Sequence, residues 1–474
     1  MAVQKVFIPI LNFIYNRTSW MSHRTRTVLM YACLTIIIVS TYFYQAKRFF
    51  LYDYPAMLNS LIGVCAFAGF LIVSVDRKIE PVKLRSWLLY VLMLCGLVIM
   101  ISGLHHYIGY SYILLGFFMT FLMPACIIVL GNTKKFNDLF FAVSVISCVC
   151  FCIYFIINAI VAPIGTTIAS YRYYGIANDP NGVAKSSVIS CVCAIYLFFQ
   201  IKSRLRVVIV PIISMSIGLA LITLSRANLL ALIMLLFFVC VMMAKQFYLK
   251  TNSKKILKTL VVCGIIILLI PVSMDVMNLN NPLLEKDSTN KSVDVSDNNT
   301  QVKTEQPPEH DQPRINVLLQ NRSKQGQLSD NSIDLNDASS GRLDIWKYCL
   351  NNLNLFGNNV ENGAVKTSGG GVNYHAHNTV LELTLRSGML AGLCFLIIEI
   401  ICAVWVIKTV FFKRTNTTGE LFVIMTFTAF GIASLFDIAV LPFAKQTVIL
   451  FYLCLPYLMI NCSEDIMREV DEIL

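Results

Sequence analysis

The segment NYHAHNTVLELTLRSG places His375 and His377 one residue apart, immediately before an apolar run. Thr379 and Glu382 have the three-residue spacing of a capping box, so the pattern predicts that a helix begins here. A helix N-terminus offers unpaired N–H donors and partial positive charge, which suit a phosphate, and the same field favours a neutral imidazole that can accept a proton. His375, His377 and Asn378 therefore lie at or just before a helix N-terminus, where a histidine is a candidate base beside a bound anion. The alternative is that His377 only caps the helix or bonds to a loop carbonyl.

Arginines are the second group of residues with a chemical use. Arg226 lies in LITLSRANLLAL, in a very short predicted turn between two apolar runs. A guanidinium at this depth should face the interior of a helix bundle or a water-filled cavity, where it can bind an anionic headgroup. Arg386 follows Glu382 by four positions, and we expect this pair to be neutralised inside the bundle.

The stretch YRYYGIANDPNGVAK predicts a second helix N-terminus, because Asp179 suits the N-cap position and Pro180 suits the first helical turn. Arg172 precedes it, with three tyrosines beside it in the sequence. Two interpretations stay open. Aromatic rings beside an arginine suit a sugar and its phosphate, whereas tyrosines at a membrane interface commonly anchor the chain.

The elements that must position these residues are membrane helices. The 474-residue chain is 57% hydrophobic and 14% charged, with a mean hydropathy of +0.68, which excludes an ordinary soluble domain. Twelve apolar runs are long enough to cross a bilayer as helices. They lie near residues 28–44, 55–75, 86–103, 110–131, 138–163, 183–200, 207–224, 227–244, 259–275, 379–407, 420–437 and 441–460. The sequence therefore predicts an all-α integral membrane protein with about twelve transmembrane helices and one long outer loop between the ninth and the tenth.

The distribution of Lys and Arg predicts the orientation of these helices. With the N-terminus inside, the predicted inner segments hold 22 of the 38 Lys and Arg residues, and such an excess is typical of short cytoplasmic loops. Both termini are then cytoplasmic, and the candidate residues lie on the extracytoplasmic face. This topology accounts for the net charge of +11, so no nucleic-acid partner is expected. Of 16 cysteines, only Cys349 falls in the long loop, which favours packing roles over disulfides or a metal site.

The chain divides into three parts. Residues 1–275 form a membrane domain with nine predicted spans, residues 276–378 form the large extracytoplasmic loop, and residues 379–474 form a second membrane domain with three spans and a short cytoplasmic tail. Within the loop, 285–338 are polar with few apolar residues and are predicted to be a disordered tether. Residues 339–378 are predicted to be ordered and functional, beginning with one amphipathic helix.

Four motifs occur in an order that is typical of one family. They are RYYGIANDPN at 172–181, TLSR at 223–226, SGRLDIW at 340–346, and His377-Asn378 followed after nine residues by Gly388. In these places the chain resembles the O-antigen ligase and O-antigen polymerase superfamily of polytopic glycosyltransferases. The family pattern has a second glycine where this sequence has Ala391, with Gly392 one position on. This departure concerns helix packing more than chemistry.

The resemblance implies metal-independent transfer of a glycan from an undecaprenyl-pyrophosphate donor to an acceptor hydroxyl, with inversion at the anomeric carbon, on the outer face of the bacterial plasma membrane. His377 would activate or position the acceptor hydroxyl, while Arg226 and Arg342 would bind the pyrophosphate as leaving group. Two guanidiniums and a helix N-terminus can stabilise the developing charge, so neither a metal nor a cofactor is expected. The partners would be the lipid-linked donor, a glycan or lipid-linked acceptor, and membrane lipid. Four further residues are assigned to substrate binding: Arg172, Asn181, His375 and Asn378.

Three functions compete for this sequence. The first is a polymerase that joins lipid-linked repeat units into capsule, exopolysaccharide or O-antigen. The second is a ligase that moves a finished glycan onto another acceptor, and the two differ only in an acceptor that the sequence does not display. The third is a non-catalytic transporter of lipid-linked glycans, which paired halves with interrupted helices would favour. The sequence contains no such repeat, and its polar candidates cluster at the ends of spans.

Overall fold

The computed structural model describes most of the chain. The described residues are 2–43, 56–84, 86–106, 110–164, 168–169, 172–177, 179–249, 253–277, 342–358, 365–366, 372–373, 375–413 and 417–471. The predicted tether at 285–338 lies outside them.

Helices make up nearly all of the described structure, which confirms the predicted all-α class. They are α1 (Ala2–Thr18), α2 (His23–Phe43), α3 (Ala56–Ser74), α4 (Ser86–His106), α5 (Tyr110–Phe117), α6 (Met123–Thr133), α7 (Phe136–Val161), α8 (Pro180–Gln200), α9 (Arg206–Ile222), α10 (Arg226–Leu249), α11 (Ser253–Val276), α12 (Arg342–Asn351), α13 (Thr379–Ser387), α14 (Met389–Phe411), α15 (Thr418–Phe436) and α16 (Gln446–Asp471). A π-helical turn at Phe118–Leu122 joins α5 to α6, and a 3-10 helix at Gly175–Ala177 precedes α8.

Two antiparallel pairs of very short strands accompany the helices in the described residues. The strands are β1 (Ile168–Ala169), β2 (Arg172–Tyr173), β3 (Val365–Lys366) and β4 (Val372–Asn373). Ala169 pairs with Arg172 in the first hairpin, and Lys366 pairs with Val372 in the second. The first hairpin therefore leads the chain from α7 towards the start of α8.

Eight helices in the described residues are long and apolar enough to cross a membrane. Shorter apolar stretches of four further helices, α3, α9, α11 and α16, lie where the remaining spans are predicted: Leu58–Ser74, Arg206–Ile222, Val261–Val276 and Gln446–Ile460. An apolar stretch of about 16 residues is only about 24 Å long as helix, which is less than a hydrocarbon core of about 30 Å. The protein is a multi-pass membrane protein, and the number twelve stays a prediction.

The tenth predicted span is wrong in one respect, because it consists of two helices, α13 and α14. They meet at Gly388, whose φ of +97° favours glycine. A Cβ at this position would clash with the carbonyl oxygen of Leu355, and a Cβ at Gly357 would clash with that of Arg386. The segment after α12 therefore packs closely against the break, and apolar periodicity alone does not reveal such a contact.

Gly392 supplies the close packing that the family pattern assigns to the preceding position. A Cβ at Gly392 would clash with the hydroxyl oxygen of Thr384 in α13. Ala391 is fully buried and accepts a hydrogen bond at its carbonyl from the Cys95 thiol of α4, at 3.4 Å. The shifted glycine thus still lets α13 lie against α14.

Aromatic packing at the centre of the bundle fixes the loop between α15 and α16. Phe443 in that loop is buried, and its ring centroid lies 5.3 Å from that of Phe118. Its carbonyl accepts a hydrogen bond from the Asn59 side chain of α3, and Gly63 leaves the room that the ring occupies. The loop is therefore held rigidly where the cleft described below opens.

Helix α12 confirms the predicted amphipathic helix in the second half of the long loop. Ile345 and Cys349 are buried against Leu385 of α13, whereas Leu343 and Leu350 are exposed. The buried face packs α12 against α13, so α12 lies beside the loop that precedes α13.

Candidate active site

A cleft of about 260 Å³ opens where the start of α8, the turn between α9 and α10, α12 and the end of α15 meet. Four of its described lining residues are cations: Arg172, Lys185, Arg226 and Arg342. Asp437 is the carboxylate among them, which leaves a formal net charge of +3, and Trp346 and Phe436 add aromatic surface. Such a cleft attracts an anionic ligand.

The predicted N-terminus of α8 is confirmed at one wall of the cleft. The Asp179 carboxylate accepts hydrogen bonds from the backbone N–H groups of Asn181 and Gly182, both at 3.0 Å. Pro180 occupies the first helical turn, where its missing N–H costs nothing. The side chain of Asn181 is therefore presented at a fixed position.

Asn181 joins three segments of this wall. Its Oδ1 accepts hydrogen bonds from Nη2 of Arg172 at 3.2 Å and from the hydroxyl of Ser225 at 2.8 Å. Nε of Arg172 donates to the carbonyl of Thr223 at 3.2 Å, and Asn228 donates to the Ser225 hydroxyl at 2.8 Å. The predicted binding residues Arg172 and Asn181 therefore lie together and hold the TLSR turn against α8.

Guanidinium groups crowd the cleft. Leu224 has a φ of +49°, in the left-handed region, and the turn that it makes places the exposed Arg226 at the start of α10. Burial lowers the pKa of Arg172 and of Arg342, and the charge of Arg226 lowers both pKa values further. Both groups remain cations at neutral pH. Because these cations repel each other, an anion bound between them would be stabilised.

Tyr173 anchors the β1–β2 hairpin and does not cradle a sugar. Its side chain is buried, and its hydroxyl donates to the carbonyl of Ala162 at 2.7 Å, close to Oδ1 of Asn158 at 3.1 Å. Gly175 has a φ of +55° and passes so close to the Asn158 side chain that a Cβ would clash. Tyr171 lies outside the described residues. Asn158 of α7 thus fixes the approach to α8.

The capping box predicted at Thr379 is wrong by one residue. The N-cap of α13 is Asn378, whose Oδ1 accepts a hydrogen bond from the backbone N–H of Leu381 at 2.9 Å. The Asn378 Nδ2 donates to the carbonyl of Leu435 at 3.1 Å, and the Thr379 hydroxyl donates to that of Asp437 at 3.0 Å. The threonine is used to join α13 to the α15–α16 loop, so the asparagine caps the helix.

Glu382 holds the loop that precedes α13. It is fully buried, and its carboxylate accepts hydrogen bonds from the backbone N–H of Ala376 at 2.8 Å and from Nε of Arg386. The Nδ1 of His375 lies 3.2 Å from the same carboxylate, although the ring is largely exposed. The predicted neutralisation of Arg386 inside the bundle is confirmed. One ring nitrogen of His375 is engaged in holding the loop.

His377 differs from its neighbours in this loop. Its φ is +49°, and its buried Nδ1 has no hydrogen-bond partner among the residues that the structure describes. Burial lowers the pKa of the imidazole, the charges of Arg342 and His375 lower it further, and Asp437 opposes them. The ring is therefore neutral at neutral pH and able to accept a proton. Since Asn378 caps the helix, capping does not explain the position of His377.

The comparison with known families matches residues 211–396 to the family model for O-antigen ligase. This segment is similar to the O-antigen ligase family. The predicted membership of the O-antigen ligase and polymerase superfamily is confirmed, and the match indicates a glycosyltransferase-type enzyme with lipid-linked glycan substrates. Comparisons with curated proteins and with solved structures give no match.

The O-antigen ligase match covers part of the cleft. Arg226, Arg342 and His377 lie inside the matched segment, whereas Arg172 and Asn181 precede it in the sequence. The structure brings Arg172 and Asn181 together with Arg226 and Arg342, because all four line the cleft. The predicted site residues His375, His377 and Asn378 are not among the described residues that line it; they lie on the neighbouring loop, which Thr379 joins to the backbone of Asp437.

An ion pair beside the O-antigen ligase segment was missed by sequence reasoning. The Nζ of Lys185 donates to Asp437, and the Nζ of Lys445 lies 3.9 Å from the same carboxylate. The backbone of Asp437 is bonded to Thr379, so this cluster touches the loop that carries His377. A signal was present in the sequence. A charge at the end of an apolar span is expensive unless it is paired, so Lys185 and Asp437 called for partners.

Proposed function

We propose that the protein is a polymerase that joins undecaprenyl-pyrophosphate-linked oligosaccharide repeat units into a surface polysaccharide on the extracytoplasmic face of the plasma membrane. One observation carries this proposal: Arg226 and Arg342 line a single cationic cleft, and the electrostatic neighbours of the neutral His377 include Arg342. Cations for a leaving pyrophosphate and a base for an acceptor hydroxyl are the two requirements of metal-independent glycosyl transfer.

The reaction is a single displacement at the anomeric carbon of the donor. The acceptor oxygen forms a bond to this carbon while the bond from the carbon to the phosphate oxygen breaks. The hydroxyl proton passes to His377 and from there to water, and undecaprenyl pyrophosphate leaves with the bonding electron pair. Attack from the side opposite the leaving group inverts the configuration. Arg226 and Arg342 stabilise the charge that grows on the pyrophosphate by charge-assisted hydrogen bonds.

The test is the chain length and lipid attachment of surface glycan in cells that carry His377→Ala, with membrane insertion verified by protease accessibility. Only single repeats should remain, because the base contributes about 10²- to 10⁴-fold to the rate. His105→Ala, which removes an exposed imidazole at the end of α4, is the control and should leave long chains intact. Normal chains in a correctly inserted His377→Ala protein would remove His377 from the reaction and the polymerase proposal with it.

A ligase is the second candidate, because the family model that matches is described as O-antigen ligase. The same residues would act, and the acceptor would be a different molecule from the growing glycan. In that case His377→Ala cells would accumulate long chains on undecaprenyl pyrophosphate that never reach their final acceptor. A transporter, the third alternative, would keep moving glycan without His377.

A further inference from the structure

We propose that Trp346 is a binding platform for the sugar that is linked directly to the donor pyrophosphate. This inference rests on the proposed glycan transfer and names a binding residue for it. Trp346 is partly buried and lines the cleft together with Arg342, which lies four positions earlier on α12. Residues at this spacing lie on the same face of a helix, with about 5–6 Å between their Cβ atoms.

The indole ring of Trp346 is held in a fixed orientation. Its Nε1 donates a hydrogen bond to the carbonyl of Ala376 at 3.0 Å. The ring also packs against the apolar cluster of Ile345, Cys349, Ala376 and Leu385. Its N–H is therefore satisfied by protein, and the ring surface that lines the cleft is apolar and preorganised. A rigid platform loses little conformational entropy when a ligand stacks on it.

The position of the ring fits a sugar between the two reacting groups. A phosphate bound by Arg342 would bring the first sugar of the donor one helical turn along α12, onto Trp346. The backbone that Trp346 contacts at Ala376 leads directly to His377. The anomeric carbon would then lie between the cation that receives the leaving group and the base that takes the proton. The electron-rich face of an indole attracts the polarised C–H groups on one face of a pyranose.

Trp346 differs from the other three tryptophans of the chain in its surroundings. Trp20 and Trp87 are 77% and 50% exposed, as expected for rings at a bilayer interface. Trp405 is buried and packs edge-on against Phe427. Trp346, in contrast, lines a charged cleft while its polar edge is bonded to protein.

Equilibrium binding to nanodisc-embedded protein tests the proposal with two radiolabelled probes. Every protein compared carries His377→Ala, so that the sugar-bearing probe, which is both donor and acceptor for a polymerase, is not consumed, and wild type below denotes the protein with an intact Trp346. One probe is undecaprenyl pyrophosphate without sugar, and the other is the lipid-linked oligosaccharide extracted from His377→Ala cells. Wild type should bind the sugar-bearing probe about tenfold more tightly, a difference that corresponds to about 1.4 kcal/mol. Trp346→Leu should lose this preference but keep its affinity for the bare carrier. Trp346→Phe should keep most of the preference, and Trp87→Phe, the matched control, should keep all of it.

The other outcomes identify which statement fails. If wild type binds neither probe, the proposed function itself is wrong. If wild type binds both but Trp346→Leu retains the preference for the sugar, the platform is wrong and the proposed function stands. Equal weakening of the binding of both probes by Trp346→Leu would mean that the indole only supports the loop at the Ala376 carbonyl. That result would also overturn the platform.

Discussion

The start of α8 forms a wall of the cleft and the start of α13 lies beside it, bonded to Asp437, and the two differ in how completely their polar groups are paired. At the start of α8, Asp179 caps the helix while Asn181 and Arg172 are hydrogen-bonded to each other and to neighbouring turns. At the start of α13, Asn378 caps the helix, but the adjacent His377 keeps a buried ring nitrogen without a partner in the described part of the chain. The two regions share a helix N-terminus and a cationic setting.

Under the proposed function, this difference would separate scaffold from reactive group. A buried polar atom without a hydrogen bond costs about 1–3 kcal/mol, so native structures keep few of them. The first turn of α8 avoids the cost, as a scaffold should. The loop before α13 bears it at Nδ1 of His377, although Glu382 pairs with the backbone N–H of Ala376 and with His375. Proton transfer is the role that the proposed function assigns to His377.

Removing a cleft arginine that the proposed function assigns to the pyrophosphate should have the largest effect on the transfer rate. Arg342→Ala and Arg226→Ala should each lower kcat for glycan transfer by about 10²-fold, because the charge on the leaving pyrophosphate loses a donor. The lysine variants should recover only part of the rate, since a bidentate fork becomes a point charge. Purified enzyme with a lipid-linked donor provides the measurement. Arg77→Ala, an exposed arginine on the loop before α4, serves as the control.

Full activity in either alanine variant would exclude that arginine from the mechanism. A loss of rate that is accompanied by a lower unfolding temperature would mean that the arginine acts by stabilising the fold, as the hydrogen bonds of Arg172 do.

How far the sequence predicts this site depends on the range of each interaction. Asp179 and Pro180 act on their own helix, so the start of α8 is predicted correctly. Thr379 was misassigned as a capping residue because its hydroxyl is taken by the backbone of Asp437, 58 residues away. The pairing of Lys185 with Asp437 spans 252 residues. Local patterns identify helices and caps, whereas a tertiary contact decides which candidate is used.

The same limit applies to the fold. The break at Gly388 depends on the backbone of Leu355 and Gly357, and an apolar run gives no sign of it. Helix α1 was not predicted either, since it lies in a charged N-terminal segment. It is held by tertiary contacts, including Gln4, which hydrogen-bonds to the backbone of Val82 at both ends of its amide.

Substitution of Asn181, which joins the segments at the start of α8, should have a smaller effect on the transfer rate. Asn181→Ala removes the acceptor for Arg172 and Ser225, so transfer should fall about tenfold and unfolding should become easier by about 1 kcal/mol. Asn181→Asp keeps the acceptor oxygen and should restore most of the stability. Thermal unfolding in detergent, together with transfer rates, checks both variants. If Asn181→Ala loses all transfer at unchanged stability, Asn181 contacts substrate and the start of α8 is not merely a scaffold.

The pH profile of transfer sharpens the assignment of His377. The base must be neutral, so activity falls as the pH drops through the pKa of His377, which burial holds below the usual value for imidazole. Arg342→Gln removes a cation that lowers this pKa, so the acid limb should move to higher pH. Asp437→Asn removes a carboxylate that raises it, so the limb should move to lower pH. Values of kcat/KM measured from pH 4 to pH 8, a range of about four units that includes the usual pKa of imidazole, record the shifts. An acid limb that stays in place in both variants would belong to another group.

Deleting 287–335 should have the smallest effect, because contacts within the described structure place α12 against α13. Ile345 and Cys349 pack on Leu385, and Trp346 is bonded to Ala376, so Arg342 does not depend on the preceding chain for its position. The deletion leaves 15 residues, 278–286 and 336–341, before α12. Fully extended, they span up to about 50 Å, which is ample for a connection across one end of the bundle. Surface-glycan chain length should be unchanged. Loss of long chains in a correctly inserted deletion protein would show that the segment acts in transfer and is more than a tether.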